Sequence, residues 1–184
     1  ESVKARSNHA RQLLRAGDLE GARLHLAAAL ELAPEHPLAL TNMAVALERS
    51  GERERAWEMA QRAAQAEIRP GIAMANLCAL SVSRAASRPE TLATCERAVG
   101  VVAHEVEPLV NLARALAATG RTGDAEEVFA RAEERFGPRA FTLGHRVGFL
   151  LQQRRFEEAL EDQRRLLALK PGDEATVRNL IAVL

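Results

Sequence analysis

The chain has 184 residues, 25 Lys plus Arg against 25 Asp plus Glu, and 3 % aromatic residues with no tyrosine. Without a net positive field or base-stacking platforms it is not built to grip nucleic acid, and no apolar run approaches the ~20 residues of a membrane span. Two cysteines, Cys78 and Cys95, make no disulfide framework and no metal motif. Lys4 and Lys170 are the only lysines among many arginines, which points to GC-rich codons and a bacterial source. Glu1 opens no signal-peptide pattern, so the sequence reads as a piece cut from a longer protein.

Asparagine recurs at Asn8, Asn42, Asn76, Asn111 and Asn179, with His145 in the one gap, at steps of 34, 34, 35, 34 and 34 residues. A period of this size marks a helical solenoid, whose units bury their apolar faces by stacking on their neighbours. The expected units are 3–36, 37–70, 71–105, 106–139 and 140–173, with an unfinished sixth at 174–184.

In the first unit Arg6, His9, Ala10 and Leu13 hold positions 4, 7, 8 and 11, one face of a first helix, A. Arg6 and His9 are polar where later units are apolar, which suits a helix with nothing stacked before it. Gly17 provides the turn at position 15, and Ala22 and Ala29 at positions 20 and 27 let a second helix, B, approach closely. The second unit repeats this with Leu40, Met43, Ala44 and Leu47, then Gly51, Ala56 and Ala63, and Trp57 reads as core packing on helix B.

The third unit has Met74, Leu77, Cys78 and Ser81 in the same columns, an extra residue assigned to its internal turn, and neither a turn glycine nor a final proline. Ser87 and Glu90 around Pro89 suggest a capping box for its helix B, which carries Ala98. Cys78, at a small packing position, reads as a buried thiol in preference to a bridge to Cys95. The fourth unit has Leu109, Leu112, Ala113 and Leu116, then Gly120, Ala125, Phe129 and Ala132. The fifth has Leu143, Arg146, Val147, Leu150, Phe156 and Ala159, and Arg146 breaks the apolar column at position 7. Val177, Leu180, Ile181 and Leu184 open a sixth helix A with no helix B behind it, so the parent chain is expected to continue or this face to meet another molecule. Pro34, Pro37, Pro70, Pro108, Pro138 and Pro171 punctuate the hairpins.

Bulky residues at 4, leucine at 7, small residues at 8, glycine near 15, alanine at 20 and 27, and proline at 32 (Pro34, Pro171) are the columns of the tetratricopeptide repeat, TPR. The chain resembles that family over its whole length. The resemblance implies an all-α fold, a right-handed α-α superhelix of about eleven antiparallel helices. Its concave wall would be made mainly by helix A, at positions 2, 5, 6, 9, 12 and 13.

On that wall the asparagine column, at position 6, would form a ladder. Each amide can pair with both C=O and N–H of an extended peptide, or with a neighbouring helix. Leu38, Val45, Ile72, Val82, Val110, Phe141 and Leu151 would be apolar and accessible, with Arg11, Arg49, Arg114 and Arg178 interleaved. Such a floor suits a peptide or amphipathic helix with hydrophobic anchors and some carboxylates; alternatively the arginines are solvated charges paired with Glu48 or Glu107. Gly144 and Gly148 on one helix fit either close approach of a ligand backbone or a locally soft repeat. The carboxylate clamp of chaperone-binding relatives is not matched beyond Asn42, because Ser7, Arg11, Ile72 and Asn76 stand where other residues are wanted.

His9, His25, His36, His104 and His145 are scattered, and HExxH, P-loop and G-x-G-x-x-G patterns are absent. No enzyme activity, metal or cofactor is therefore expected. The leading expectation is a non-enzymatic scaffold that binds a partner segment in its groove, in pilus, secretion or exopolysaccharide assembly, in the periplasm or cytoplasm. The alternatives are a recognition domain of a larger glycosyl- or sulfotransferase and a self-association module acting through the C-terminal face.

Overall fold

A computed structural model describes residues 2–66 and 71–173 of the chain. These residues form ten α-helices and no strands. The helices run α1 Val3–Ala16, α2 Leu19–Leu32, α3 Pro37–Arg49, α4 Arg53–Ala66, α5 Gly71–Ala85, α6 Pro89–Val101, α7 Glu107–Ala118, α8 Thr122–Phe136, α9 Ala140–Gln152 and α10 Phe156–Leu169. Pro70 and the expected sixth helix A, with Val177, Leu180, Ile181 and Leu184, lie outside the described residues.

Local chemistry sets the helix ends. Ser2 and Asp18 cap α1 and α2 by accepting the amides of Ala5 (3.2 Å) and Gly21 (2.9 Å). Pro37, Pro89 and Pro108 sit in first turns, where a missing N–H costs nothing. Gly17, Gly51 and Gly120 adopt φ of 86°, 85° and 80° between paired helices. At the same place after α9 stands Arg154, with φ 60°, the only non-glycine at positive φ among the described residues.

The helices group into two compact units, Glu1–Ala103 and His104–Leu184. In the first, α1 packs on α2, α3 on α4 and α5 on α6, while α1 touches α3 and α3 touches α5. Among the described residues the backbone of α2 does not come close to that of α4, nor that of α4 to that of α6. The odd-numbered layer is thus the tighter one and forms the inner wall of the curve within this unit. In the second unit α7 packs on α8, α9 on α10 and α7 on α9, while α8 and α10 meet only through long side chains, as in the Arg165–Glu133 ion pair, among the described residues.

Alanine makes this close packing possible. Ala10, Ala22, Ala29, Ala44, Ala56, Ala63, Ala98, Ala113, Ala125, Ala132 and Ala159 are all fully buried. Leucines fill the space between them, as in the cluster of Leu14 and Leu26 with Ala10, Ala22 and Ala39.

The α5–α6 hairpin departs from the sequence reading in two respects. Cys78 and Cys95 are joined in a disulfide between the two helices, not left as buried thiols. Their columns, 8 on the first helix and 24 on the second, also share a core cluster in the first two hairpins, Ala10 with Leu26 and Ala44 with Ala60. The expected capping box is also absent. Arg88 is the N-cap of α6 without a side-chain bond, and the Thr91 hydroxyl instead donates to the Ala85 carbonyl across the turn (2.8 Å).

Candidate functional site

The candidate surfaces are the faces of the odd-numbered helices in each unit, α1, α3 and α5 in the first and α7 and α9 in the second. Their asparagine column does not behave as one set. Asn42 is buried, and its Nδ2 donates to the Ser7 carbonyl of α1 at 2.9 Å. Asn111 is buried too, and its Oδ1 accepts from Arg114 Nη1, one turn along α7, at 2.9 Å. Asn8 is half-buried and accepts from Arg11 Nη2 at 3.3 Å. Half-buried Asn76 makes no hydrogen bond among the described residues, so both ends of its amide remain available. The ladder expected from the sequence is therefore partly spent on joining helices. Asn179 and Arg178 lie outside the described residues.

The arginines divide in a similar way. Arg49 donates to the Leu14 carbonyl near the end of α1, which also accepts the Gly17 amide at 3.2 Å, so the arginine ties α3 to the capped end of α1. Arg11 and Arg114 hold their asparagines, and none of the three pairs with Glu48 or Glu107. Burial lowers the Arg114 pKa, yet a guanidinium stays charged at neutral pH.

Among the apolar candidates, Ile72 is 63 % and Phe141 37 % exposed, while Leu38, Val45 and Leu151 are half-buried. Val110 and Val82 were expected to be accessible but lie in the core at 0 % and 5 % exposure. Full burial of Val110 on α7 makes this valine packing and not floor.

In the second unit His145, half-buried on α9, meets the Phe141 ring edge-to-face at 4.6 Å. Burial first, and then the Arg114 charge, lowers its pKa to about 4, so the ring is neutral at pH 7 and offers one donor and one acceptor. Gly144 and Gly148 are on the same helix, and a Cβ would meet only Leu166 at 4.0 Å in the first case and nothing within 4 Å in the second. Packing among the described residues does not demand either glycine.

Arg146, which broke its apolar column, enters an ionic cluster. Its Nε and Nη2 hold both oxygens of buried Asp162 at 2.5 and 2.6 Å, and its Nη1 holds Glu133 at 2.6 Å. Arg165 bridges the same two carboxylates, giving two cations and two anions locked between α8, α9 and α10. The sequence showed the intrusion of Arg146 but not that Asp162, sixteen residues on, would meet it.

Among the described residues no three His, Cys, Asp or Glu gather as a metal would need, and no helix is long and apolar enough to cross a membrane. The inner walls are instead surfaces of exposed apolar side chains beside amide, imidazole and guanidinium groups. Solved structures with the same fold include YrrB, described as a TPR protein with an unusual peptide-binding site (21 % identity over 95 % of this chain and 89 % of that one, TM-score 0.67). TTC0263, a thermophilic TPR protein of Thermus thermophilus, matches at 19 % identity over 99 % and 98 % with TM-score 0.82. PilW, a type IV pilus biogenesis factor, matches at 15 % identity over 90 % and 76 % with TM-score 0.80. A search of curated proteins finds no match. The tetratricopeptide-repeat family model matches residues 7–71 and 110–174, and with the alanine columns and paired helices it places this chain in the tetratricopeptide-repeat family.

Proposed function

We propose that the protein is a scaffold that holds an extended or helical segment of a partner protein against the inner walls of its units. The observation that carries this reading is the pairing of an unengaged amide with an unburied apolar side chain on α5. Asn76 has both hydrogen-bonding ends available and Ile72, one turn before it, is 63 % exposed. An amide grips peptide backbone without reading sequence, and an exposed isoleucine supplies a pocket wall for an apolar anchor. Phe141 and neutral His145 offer the same combination on α9. The peptide-binding site described for YrrB supports the reading at the level of the fold.

The Cys78–Cys95 disulfide favours an oxidising compartment such as the bacterial periplasm. Fold likeness to PilW makes pilus, secretion or exopolysaccharide assembly the setting to test first. Peptide arrays probed with the wild type and with Ile72→Ser/Asn76→Ala test the wall itself. Peptides retained by the wild type should be lost by the variant; an unchanged array would overturn the reading.

A further inference from the structure

We infer that the first unit carries a second binding site, on the side away from the inner wall, for an acidic peptide segment with one bulky apolar side chain. A cleft of about 390 Å³ opens between α4 and α6, floored by α5. Its cause is visible in the repeat columns. Position 11 of the floor helix is leucine at Leu13, Leu47, Leu116 and Leu150, but serine at Ser81. Most of a side chain is missing from a site where the other described units carry leucine, and the backbones of α4 and α6 stay too far apart to close over it.

What lines the gap has a definite character. Trp57 forms one wall, half-buried, its Nε1 donating to Ser81 Oγ at 3.1 Å. Buried Met74 and half-buried Leu77 complete an apolar floor. Arg84 lies over the Trp57 ring at 4.7 Å and is held there by Glu54 at 2.6 Å, which fixes the indole face. Arg88 and Arg97 stand at the rim, exposed, and neither has a carboxylate partner among the described residues. With Arg84 already paired to Glu54, Glu90 is the only acidic lining residue against Arg88 and Arg97 among the described residues. Gln61 and Gln65 on α4 supply amides for a bound backbone.

The charge balance selects acidic flanks, and the gap left by Ser81 selects one aromatic or leucine side chain between them. A bare polyanion would satisfy the rim and leave the floor empty. This site shares no residue with Ile72 and Asn76, so it stands whether or not the inner wall binds anything.

Trp57 is the only tryptophan, and there is no tyrosine, so intrinsic fluorescence reports on this cleft alone. The full chain is titrated with Ac-EDEFDED-NH2, with the same peptide bearing alanine for phenylalanine, and with polyphosphate. We expect a saturable change in Trp57 emission with the first peptide. The alanine peptide and polyphosphate should bind at least tenfold more weakly. Arg88→Glu/Arg97→Glu, at the exposed rim, should weaken the first peptide at least tenfold, and Ser81→Leu, which refills the column, should abolish binding with the helical circular dichroism intact. Ile72→Ser/Asn76→Ala should bind as the wild type does. Absence of a saturable change, equal binding of polyphosphate, or full binding by the double arginine variant would each overturn the proposal.

Discussion

Asn42 Nδ2 donates to the Ser7 carbonyl at 2.9 Å, stitching α3 to α1 inside the first unit, while Asn76, one repeat later, has no such bond. Residues from one column therefore do different work. Asn42→Ala should lower stability by about 1 kcal/mol, because a buried carbonyl loses a donor. Asn76→Ala should change it by less than about 0.5 kcal/mol, as surface substitutions do. Urea unfolding of the two variants checks this, and a costly Asn76→Ala would mean that this amide is structural as well.

Arg146 and Asp162 form a forked pair in which Asp162 is 3 % exposed. Arg146→Leu restores the repeat's usual residue but strips a buried carboxylate of its main partner, so it should destabilise by about 3 kcal/mol. Arg146→Leu/Asp162→Leu removes both charges and should recover most of that loss. Denaturant midpoints of the two variants separate the cases. Equal losses would show that the pair carries more than mutual compensation.

The disulfide spans a sequence separation of 17, and closing a loop of that size limits the unfolded chain by about 3 kcal/mol. Reduction, or Cys78→Ala/Cys95→Ala, should lower the stability of the first unit by that order. Thiol titration of the unfolded, unreduced protein should find no free thiol, and two after reduction.

Burial and Arg114 lower the His145 pKa from 6.5 to about 4. The unfolded chain therefore binds the proton more readily between these values. The neutral ring's contribution is complete above about pH 6.5, is lost progressively as pH falls, and is fully gone below about pH 4. Imidazole resonances followed by NMR should give a midpoint near 4 for His145. A midpoint near 6.5 would mean a solvated ring.

Arg154 occupies the left-handed conformation that Gly17, Gly51 and Gly120 occupy after other helices. Arg154→Gly should relieve the Cβ clash and stabilise by about 0.5–1 kcal/mol net of glycine's entropy. Gly148→Ala, with open space around its Cβ, should add about 1 kcal/mol. Thermal melts measure both. If Gly148→Ala also reduced binding of an inner-wall peptide, the glycine would be explained by ligand approach.

The turn glycines and the alanine columns were readable beforehand because each reflects a local demand, positive φ in one case and helix–helix distance in the other. The disulfide was legible in principle, since columns 8 and 24 both hold cysteine in one hairpin alone; a small packing position suits a buried thiol as well as a bridge, and only the distance between the two helices decides between them. Val110 misled because its column marks a helix face and says nothing of how far the next helix overlaps that face. The cleft beside Trp57 was foreshadowed by Ser81, but a missing side chain becomes a cavity only if nothing moves in to fill it.

The sequence by itself determined the pairing of helices and the faces they bury, since a 34-residue period of small and large residues is a one-dimensional property that stacking neighbours must obey. Only the tertiary structure decided the partners of the polar side chains: Asn42 with Ser7, Arg146 with Asp162, Cys78 with Cys95. Hydrogen bonds and ion pairs depend on separations of a few tenths of an ångström between helices, and periodicity does not encode distances that fine.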